Sequence, residues 1–277
     1  MTLQISPLSA ALGAEATGVD LSCPVSDADQ KALQQAILDN LVLVIRDQQL
    51  TSRGYLAAVR LFGETMEQQL STFLLDDHPE IAVLDSSTSE LDEDGNPFPV
   101  GSRAWHSDHT NHAEPPKMTA LRAVQLPKSG GGDTGFANMH SAYDALSAPR
   151  KTELDALKTV NKIEDKGYVS DEARAKFGAL QSHPLVRTHP ETGKKAIYLH
   201  PGKVDHIEGM TPEDSKDFVD ELMEKIIQPD VTYRHVWRPG DLTIWDNRAV
   251  LHIAHRGYNH TEQRLMHRVL IKGDRPH

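Results

Sequence analysis

The sequence that decides the fold is His106-Ser107-Asp108, joined by His252 far along the chain and by Arg264-Leu-Met-His-Arg268 near its end. Two imidazoles and one carboxylate form the facial triad that holds non-haem Fe(II) and leaves coordination positions open. Side chains two residues apart in an extended strand point the same way, so we expect His106 and Asp108 to converge on one ion. His252 follows a strand-like segment over residues 241–248 and is expected to supply the third ligand.

The two arginines of the last motif lie four residues apart in a segment with the alternation of a strand. Arg264, Met266 and Arg268 then share one face. Leu265 and Val269 lie on the other, and a strand with apolar residues on both faces is expected inside a sandwich. A guanidinium buried there needs a fixed anion, whereas an exposed pair of arginines would form surface ion pairs of little energetic value. Two such guanidiniums near a metal predict a carboxylate co-substrate and an anionic substrate.

Hydrophobic periodicity predicts a mainly β protein with flanking helices. Helices are expected after the capping residues Ser26, Thr51 and Thr211 and over residues 144–158 and 171–180. Strands are expected over residues 41–45, 81–84, 118–126, 183–188, 195–199, 231–237, 241–245 and 265–272. Residues 86–104 are rich in Ser, Asp, Glu, Gly and Pro and predict a mobile loop that enters the metal motif. Strands at both ends of the chain, with helices between them, fit a two-sheet jelly roll.

Composition restricts the class of protein. The 277 residues contain no linker, repeat or low-complexity segment, so we expect a single domain over residues 1–277. The net charge of −11 argues against a nucleic-acid partner. A single cysteine, Cys23, excludes an internal disulfide and fits a reducing compartment. The chain has no secretory-type leader and no apolar run of about 18 residues, which predicts a soluble cytoplasmic protein without a membrane partner.

Five motifs occur in a fixed order. They are Trp105-His106-Ser107-Asp108, Gly132-Asp133-Thr134, Trp245-Asp246-Asn247-Arg248, His252 and Arg264-x-x-x-Arg268. This set resembles the taurine and phenoxyacetate dioxygenase family of Fe(II)/2-oxoglutarate oxygenases, and the similarity extends from Leu12–Asp20 to Met266–Asp274. The resemblance implies a double-stranded β-helix fold that uses Fe(II), 2-oxoglutarate and O₂. It also implies hydroxylation of a small organic anion, with succinate and CO₂ as products, by a homo-oligomer such as a dimer or tetramer.

The resemblance further implies roles for individual residues around the metal. Arg264, helped by Thr134, would bind the distal carboxylate of 2-oxoglutarate. Arg268 would bind the anionic group of the substrate. His109 and Asn111 follow the metal motif directly and would line the substrate pocket, where His109 stands at a position that is usually small and apolar in taurine-cleaving members.

Two positions of the expected substrate pocket depart from the taurine dioxygenases. Gln68 corresponds to the His that contacts the sulfonate, and Ser102 corresponds to the Asn that reads the amine. A neutral Gln brings no charge and Ser is too short to replace Asn, so we expect taurine to be a poor substrate. The pocket is expected to take another anion, such as a different sulfonate, an alkyl sulfate ester or an aryloxyalkanoate.

The remaining polar motifs are assigned supporting roles. Asp246, Asn247 and Arg248 are predicted to form a turn that supports His252. Four further histidines are expected to be structural or exposed: His183, His189, His200 and His206. The ligand set alone leaves two alternatives open, a zinc-dependent hydrolase and a non-catalytic metal-binding or sensor protein. Asp108 separates the chain from the oxygenase-like halogenases, which carry a small residue in place of that carboxylate.

Overall fold

The computed structural model describes residues 2–68, 73–88, 102, 104–164, 169–259 and 261–277. The α-helices are α1 (Asp27–Asn40), α2 (Ser52–Arg60), α3 (Met139–Asp144), α4 (Ala148–Asp155), α5 (Asp171–Phe177) and α6 (Pro212–Ile226). The first strands are β1 (Gln4–Pro7), β2 (Ala14–Thr17), β3 (Val42–Ile45), β4 (Leu74–Leu75), β5 (His78–Asp85), β6 (Met118–Gln125), β7 (Thr134–Asn138) and β8 (Lys158–Asn161). The later strands are β9 (Gln181–Pro184), β10 (Val186–Thr188), β11 (Lys195–Ile197), β12 (Val204–Ile207), β13 (Thr232–His235), β14 (Leu242–Asp246), β15 (Val250–Ala254) and β16 (Leu265–Ile271).

A large sheet combines strands from both ends of the chain in the order β1-β2-β3-β14-β6-β16-β5-β4. Its neighbours are antiparallel except for β2 and β3, which run parallel. A smaller antiparallel sheet has the order β13-β7-β15. Two further small sheets are formed by β12-β8-β9 and by β10-β11. The prediction of a mainly β protein with flanking helices is confirmed.

The large sheet buries both of its faces. Its outer face packs against α1 and α2, and Ala120 of β6 belongs to that core. Its inner face packs against the smaller sheet, and Leu121 of β6 belongs to this second core. The Phe136 ring of β7 lies 5.4 Å from the Trp245 ring of β14 within it. The alternation of neighbours along β6 follows from the two-residue period of a strand.

Helices α1 and α6 begin where their capping residues predict. The Ser26 hydroxyl accepts a hydrogen bond from the backbone N–H of Asp29, and the Thr211 hydroxyl accepts one from Asp214. Leu33 and Ile37 of α1 are buried against the large sheet, as their helical spacing predicts.

Two predicted elements differ from the structure. The expected helix over residues 144–158 is shorter than predicted, because α3 ends at Asp144 and α4 spans only Ala148–Asp155. Pro149 lies in the first turn of α4, where its missing N–H is tolerated, and it could not continue a helix from α3. The expected strand over residues 183–188 is split at Leu185, since β9 pairs with β8 and β10 pairs with β11.

The predicted loop over residues 86–104 is described only in part. It begins with a 3-10 helix, Ser86–Thr88, and residues 89–101 and 103 lie outside the described residues. Across the described ranges, no helix has the length and apolar character that crossing a membrane requires.

Candidate metal centre and substrate pocket

His106, Asp108 and His252 converge at the edge between the two sheets. The Nε2 atom of His106 lies 3.6 Å from Oδ1 of Asp108, and Nε2 of His252 lies 3.8 Å from the same oxygen. One ligand atom from each residue lies within 4.8 Å of the others, and all three residues are buried. This is the ligand set of a facial triad, with two imidazole nitrogens and one carboxylate oxygen.

Backbone pairing brings the two histidines together. His252 lies in the middle of β15, and His106 forms an isolated antiparallel bridge with it. Each residue donates its N–H to the carbonyl of the other, at 3.0 and 2.9 Å. The prediction that Asp108 lies in an extended strand with His106 is wrong, because Asp108 is in a turn. His109 in that turn has a φ of +49°, a left-handed conformation that is uncommon for a residue with a side chain.

Neighbouring groups orient both imidazoles. Nδ1 of His106 lies 2.9 Å from the carbonyl oxygen of Ala104. A proton on Nδ1 satisfies that carbonyl and leaves the lone pair of Nε2 for a metal. The His252 ring packs 4.7 Å from the Trp245 ring and 4.1 Å from the His106 ring.

Asp108 is held by a chain of hydrogen bonds from the large sheet. The hydroxyl of Thr119 donates to Oδ2 of Asp108 at 2.6 Å, and the amide of Asn247 donates to the same hydroxyl at 2.7 Å. The Trp245 indole N–H in turn donates to Oδ1 of Asn247 at 3.0 Å. Oδ1 of Asp108 therefore remains directed at the imidazoles. Asn247 supports Asp108, not His252 as predicted, and the contribution of Thr119 was missed.

Electrostatics favour the protonation states that bind a metal. Burial raises the pKa of Asp108, but the neighbouring His252, His106 and Arg268 side chains outweigh burial and hold it well below the usual value. Burial lowers the pKa of His252 to about 3. An ionised carboxylate and a neutral imidazole are the ligand forms that a metal requires.

Arg264 lies against the glycine-rich turn before β7. Its side chain is 7% exposed, and its Nε donates to the carbonyl of Gly132 at 3.0 Å. A Cβ on Gly132 would stand 2.6 Å from Cδ and Nε of Arg264, so only glycine allows this approach. Burial lowers the pKa of Arg264 to about 10, and no carboxylate of the described residues forms an ion pair with it. A buried guanidinium without a carboxylate partner is costly, and binding of an anion would offset that cost.

Thr134 begins β7, two residues after the carbonyl that holds Arg264. Its hydroxyl accepts a hydrogen bond from the Trp237 indole N–H at 3.1 Å. Because the oxygen of this hydroxyl accepts the bond from Trp237, its proton points away from the indole. That proton can be donated to an anion at the beginning of β7.

Arg268 and Gln68 are brought together. Nη2 of Arg268 donates to Oε1 of Gln68 at 3.2 Å, and Nε2 of Gln68 donates to the carbonyl of Glu80 at 3.0 Å. Arg268 forms no ion pair with the described carboxylates, and its binding of a substrate anion stays a prediction. Ser102 differs, because its hydroxyl donates to the carbonyl of Ala104 at 3.3 Å, and among the described residues it forms no hydrogen bond with Arg268.

His109 and Asn111 belong to one buried wall that also includes the end of α5. The ring of His109 lies 4.9 Å from that of His112, which stacks on Phe177 at 4.3 Å with an interplanar angle of 2°. The amide of Asn111 donates to the carbonyl of Phe177 at 3.4 Å. The ammonium of Lys203 donates to Oδ1 of Asn111 at 2.5 Å.

The other histidines divide into structural ones and one at the site. Nitrogens of His183, His189 and His206 lie within hydrogen-bond distance of the His112 carbonyl, Asp246 and Asp205, respectively. His200 is different, since it is buried with its ring 4.8 Å from the His106 ring. Sequence reasoning missed His200 and Lys203, because nothing in the segment after β11 predicts which way it turns.

The family model described as "Taurine catabolism dioxygenase TauD, TfdA family" matches residues 4–270. The chain belongs to the TauD/TfdA family. Among curated relatives, it is 31% identical to pentalenolactone F synthase of Streptomyces avermitilis, covering 96% of this chain and 92% of the relative. It is 33% identical to (S)-phenoxypropionate/alpha-ketoglutarate-dioxygenase of Sphingobium herbicidovorans, covering 98% of this chain and 95% of the relative.

A solved structure of similar fold is AAD-2 in complex with Mn(II) and N-oxalylglycine. It superposes with a TM-score of 0.82 at 28% identity and covers 100% of this chain and 99% of that one. Membership of the TauD/TfdA family makes this protein an Fe(II)- and 2-oxoglutarate-dependent dioxygenase, an oxidoreductase. The residues fit that requirement, because a nitrogen of each imidazole and an oxygen of the Asp108 carboxylate lie within 4.8 Å of one another in a buried site.

The hydrogen bond from Thr119 to Asp108 predicts a measurable effect on metal affinity in this TauD/TfdA member. Thr119→Val keeps the side-chain shape and removes the donor, and loss of such an outer-shell partner typically weakens metal binding about 10- to 100-fold. Anaerobic equilibrium binding of Fe(II) measures it. Thr119→Ser should restore much of the affinity.

Thr243→Val is the matched control, because Thr243 is a buried threonine on the neighbouring strand whose hydroxyl has no hydrogen-bond partner among the described residues. It should leave the affinity for Fe(II) unchanged. Equal losses in the two valine variants would show that the Thr119 hydroxyl does not position Asp108.

Proposed function

We propose that this dioxygenase hydroxylates a C–H bond in a small organic anion, such as a sulfonate, a sulfate ester or an aryloxy or other carboxylate. One atom of O₂ enters the substrate as a hydroxyl group, and the other enters succinate as 2-oxoglutarate loses CO₂. If the hydroxylated carbon carries a heteroatom, the product collapses to a carbonyl compound and a released acid. The observation that best supports this proposal is the pair of guanidiniums of Arg264 and Arg268. Neither forms an ion pair with a described carboxylate.

His106, Asp108 and His252 are proposed to hold the Fe(II). When bound there, Fe(II) supplies the redox chemistry that activates O₂. The protein contributes the position of each ligand atom. The His106–His252 bridge sets the separation of the imidazoles, and the hydroxyl of Thr119 holds one oxygen of Asp108 so that the other faces the ion.

Arg264 and Thr134 are proposed to bind the distal carboxylate of 2-oxoglutarate. The guanidinium offers two parallel N–H donors to a carboxylate, and Thr134 can add its hydroxyl proton. Gly132 holds Nε of Arg264 through its carbonyl, which directs the terminal nitrogens away from the turn. Burial of Arg264 excludes water and strengthens the interaction with the anion.

Arg268 is proposed to bind the acidic group of the substrate, with Gln68 beside it. Gln68 orients the guanidinium through a neutral hydrogen bond and adds no charge. His109 and Asn111 are proposed to line the pocket next to the metal segment, and Ser102 its entrance. Taurine is expected to be a poor substrate, since neither Gln68 nor Ser102 replaces the groups that would recognise it.

We further propose that the large sheet and the β13-β7-β15 sheet close as the double-stranded β-helix of a single domain over residues 1–277. The shared core between the sheets supports this. A homo-oligomer and a cytoplasmic location are proposed as well, the first from the family resemblance and the second from the lone cysteine, Cys23. The net charge of −11 supports a small-molecule partner over a nucleic acid.

The proposed activity is tested by succinate release with Fe(II), 2-oxoglutarate and O₂ across sulfonates, sulfate esters, aryloxy acids and taurine. We expect succinate with at least one anion other than taurine, and a weak visible charge-transfer band from the anaerobic Fe(II)–2-oxoglutarate complex. Asp108→Ala should lose iron affinity and activity together, whereas Asp39→Ala at the exposed end of α1 should lose neither. Tight zinc binding with ester or amide hydrolysis that survives Arg264→Ala would favour a hydrolase, and metal binding without turnover a sensor.

The proposed co-substrate clamp is tested by Arg264→Lys. Lysine keeps the charge but cannot form two parallel hydrogen bonds. Losing a charged partner at a buried site costs about 2–4 kcal/mol, which corresponds to about 30- to 1000-fold in affinity. The KM for 2-oxoglutarate should rise, while Arg268→Lys should mainly raise the KM for the primary substrate. The opposite pattern would show that the two arginines have exchanged roles.

The proposed oligomer is tested by sedimentation equilibrium of the full chain at micromolar concentration. We expect the mass of a dimer or tetramer. A species at the monomer mass of 30.7 kDa would contradict the proposal.

A further inference from the structure

We propose that Tyr258 is a positioning residue for Arg264. Its ring is held by the docking of residues 257–259 on the glycine turn, residues 130–132, and it fixes the guanidinium where the distal carboxylate of 2-oxoglutarate binds. This inference rests on the proposed function, because it concerns the co-substrate site assigned there to Arg264. Tyr258 acts through Arg264 and does not itself touch the co-substrate.

The first step is the backbone of the glycine turn. It is left-handed at all three residues, with φ of +76°, +85° and +71° for Gly130, Gly131 and Gly132. Glycine adopts this conformation without the steric cost that other residues meet. A Cβ on Gly130 would meet no neighbouring group of the described residues within 4 Å, whereas a Cβ on Gly131 would overlap the backbone carbonyl of Gly257. Gly131 therefore allows residues 257–259 to pack directly on the turn.

The second step is a pair of hydrogen bonds at Ser129, directly before the turn. The backbone N–H of Asn259 donates to the Ser129 hydroxyl at 3.2 Å, and the N–H of Ser129 donates to Oε2 of Glu262 at 2.8 Å. The segment is thus attached to the turn at Gly257 by packing and at Asn259 by a hydrogen bond. Tyr258 lies between these two attachments, so the backbone position of the tyrosine is fixed from both sides.

The third step is the contact between Tyr258 and Arg264. A Cβ on Gly132 would lie 2.6 Å from Cδ and Nε of Arg264 and 3.2 Å from Cδ1 of Tyr258. The tyrosine ring and the arginine side chain are therefore neighbours on one side of Gly132. The ring is half-buried, and the arginine is buried. A ring at this place restricts the side chain of Arg264 and shields it from water.

Hydrogen bonds already hold the backbone and Nε of Arg264. Its N–H donates to the Ser86 hydroxyl at 2.8 Å, and its carbonyl accepts from the N–H of Ser86 at 3.0 Å. Nε donates to the carbonyl of Gly132. This single bond leaves the terminal nitrogens free to swing about it, and the ring of Tyr258 limits that motion. A guanidinium that is fixed in advance loses less conformational freedom when it binds an anion.

Tyr258→Ala tests this role by binding. Removing the ring should raise the Kd for 2-oxoglutarate about 10-fold, since misplacing an oriented group by about 1 Å can cost about 100-fold. Titration calorimetry of the Fe(II)-loaded protein without O₂ measures this Kd. Tyr258→Phe keeps the ring and should retain a Kd close to that of the wild type. The Kd for Fe(II), and kcat at saturating 2-oxoglutarate, should change little in either variant.

Gly131→Ala and Gly130→Ala form a matched pair. Both place a Cβ on a left-handed residue of the same turn, so their backbone costs are similar. Only the Cβ at Gly131 would displace the carbonyl of Gly257 and, with it, Tyr258. We therefore expect Gly131→Ala to raise the Kd for 2-oxoglutarate as Tyr258→Ala does, and Gly130→Ala to leave it unchanged.

Two further measurements show whether Tyr258 acts through Arg264. The first uses 2-oxopentanoate, which carries a methyl group where 2-oxoglutarate carries its distal carboxylate. Its Kd should be the same for the wild type and Tyr258→Ala. The second adds Tyr258→Ala to Arg264→Met, which lacks the guanidinium. In that background, loss of the ring should have no further effect on the Kd for 2-oxoglutarate, because residues that act as one unit are not additive.

The outcomes separate this inference from the proposed function. A Kd for 2-oxoglutarate that rises in Arg264→Met but not in Tyr258→Ala would overturn the role of Tyr258 and leave the proposed function intact. Equal losses in Tyr258→Phe and Tyr258→Ala would overturn it as well, because the hydroxyl and not the ring would then matter. Binding of 2-oxoglutarate to Arg264→Met as tight as to the wild type would contradict the proposed co-substrate site itself. If Gly131→Ala does not fold, the two tyrosine variants decide the question.

Discussion

The two backbone hydrogen bonds between His106 and His252 are the constraint on which the rest of the site depends. They join the segment before the metal-binding turn to the middle of β15. Because backbone pairing sets the separation of the two imidazoles, side-chain rotamers need to adjust only the ring angles. Asp108 is then brought in by the turn and held from the opposite side by Thr119 of β6. Both sheets therefore contribute to the ligand geometry, and a shift of one against the other would change it.

Strand β16 carries Arg268, and Arg264 directly precedes it. Its outer residues, such as Val269, belong to the core under the helices, and Met266 on its inner face belongs to the core between the sheets. Four residues of extended chain span about 13 Å, which is the scale of the separation between Arg268 in β16 and Arg264 directly before it. At that spacing, two anions bound to the two guanidiniums would not repel each other strongly. Under the proposed roles of Arg264 and Arg268, this segment sets the distance between co-substrate and substrate.

The sequence predicts local structure correctly where a residue type and its spacing are compatible with a single backbone conformation. The capped helices α1 and α6 are of this kind. Asp108 was predicted in a strand because local spacing does not show that His109 turns the chain. The hydrogen bonds from Asn247 to Thr119 and from Lys203 to Asn111 join residues far apart in sequence. Such contacts depend on how the sheets pack, and no local pattern contains that information.

The strand order of the large sheet has a consequence for synthesis of the chain. Strand β16 lies between β6 and β5, although it is made last, and β14 lies between β3 and β6. While the polypeptide is still on the ribosome, β5 and β6 therefore each present an unpaired edge that can associate with another chain. At about 5–20 residues per second, these edges stay open for about 7 to 30 seconds before residue 271 is made. The nascent protein is thus prone to aggregate between the synthesis of β6 and that of β16, and a chaperone that covers β5 and β6 would act in that interval.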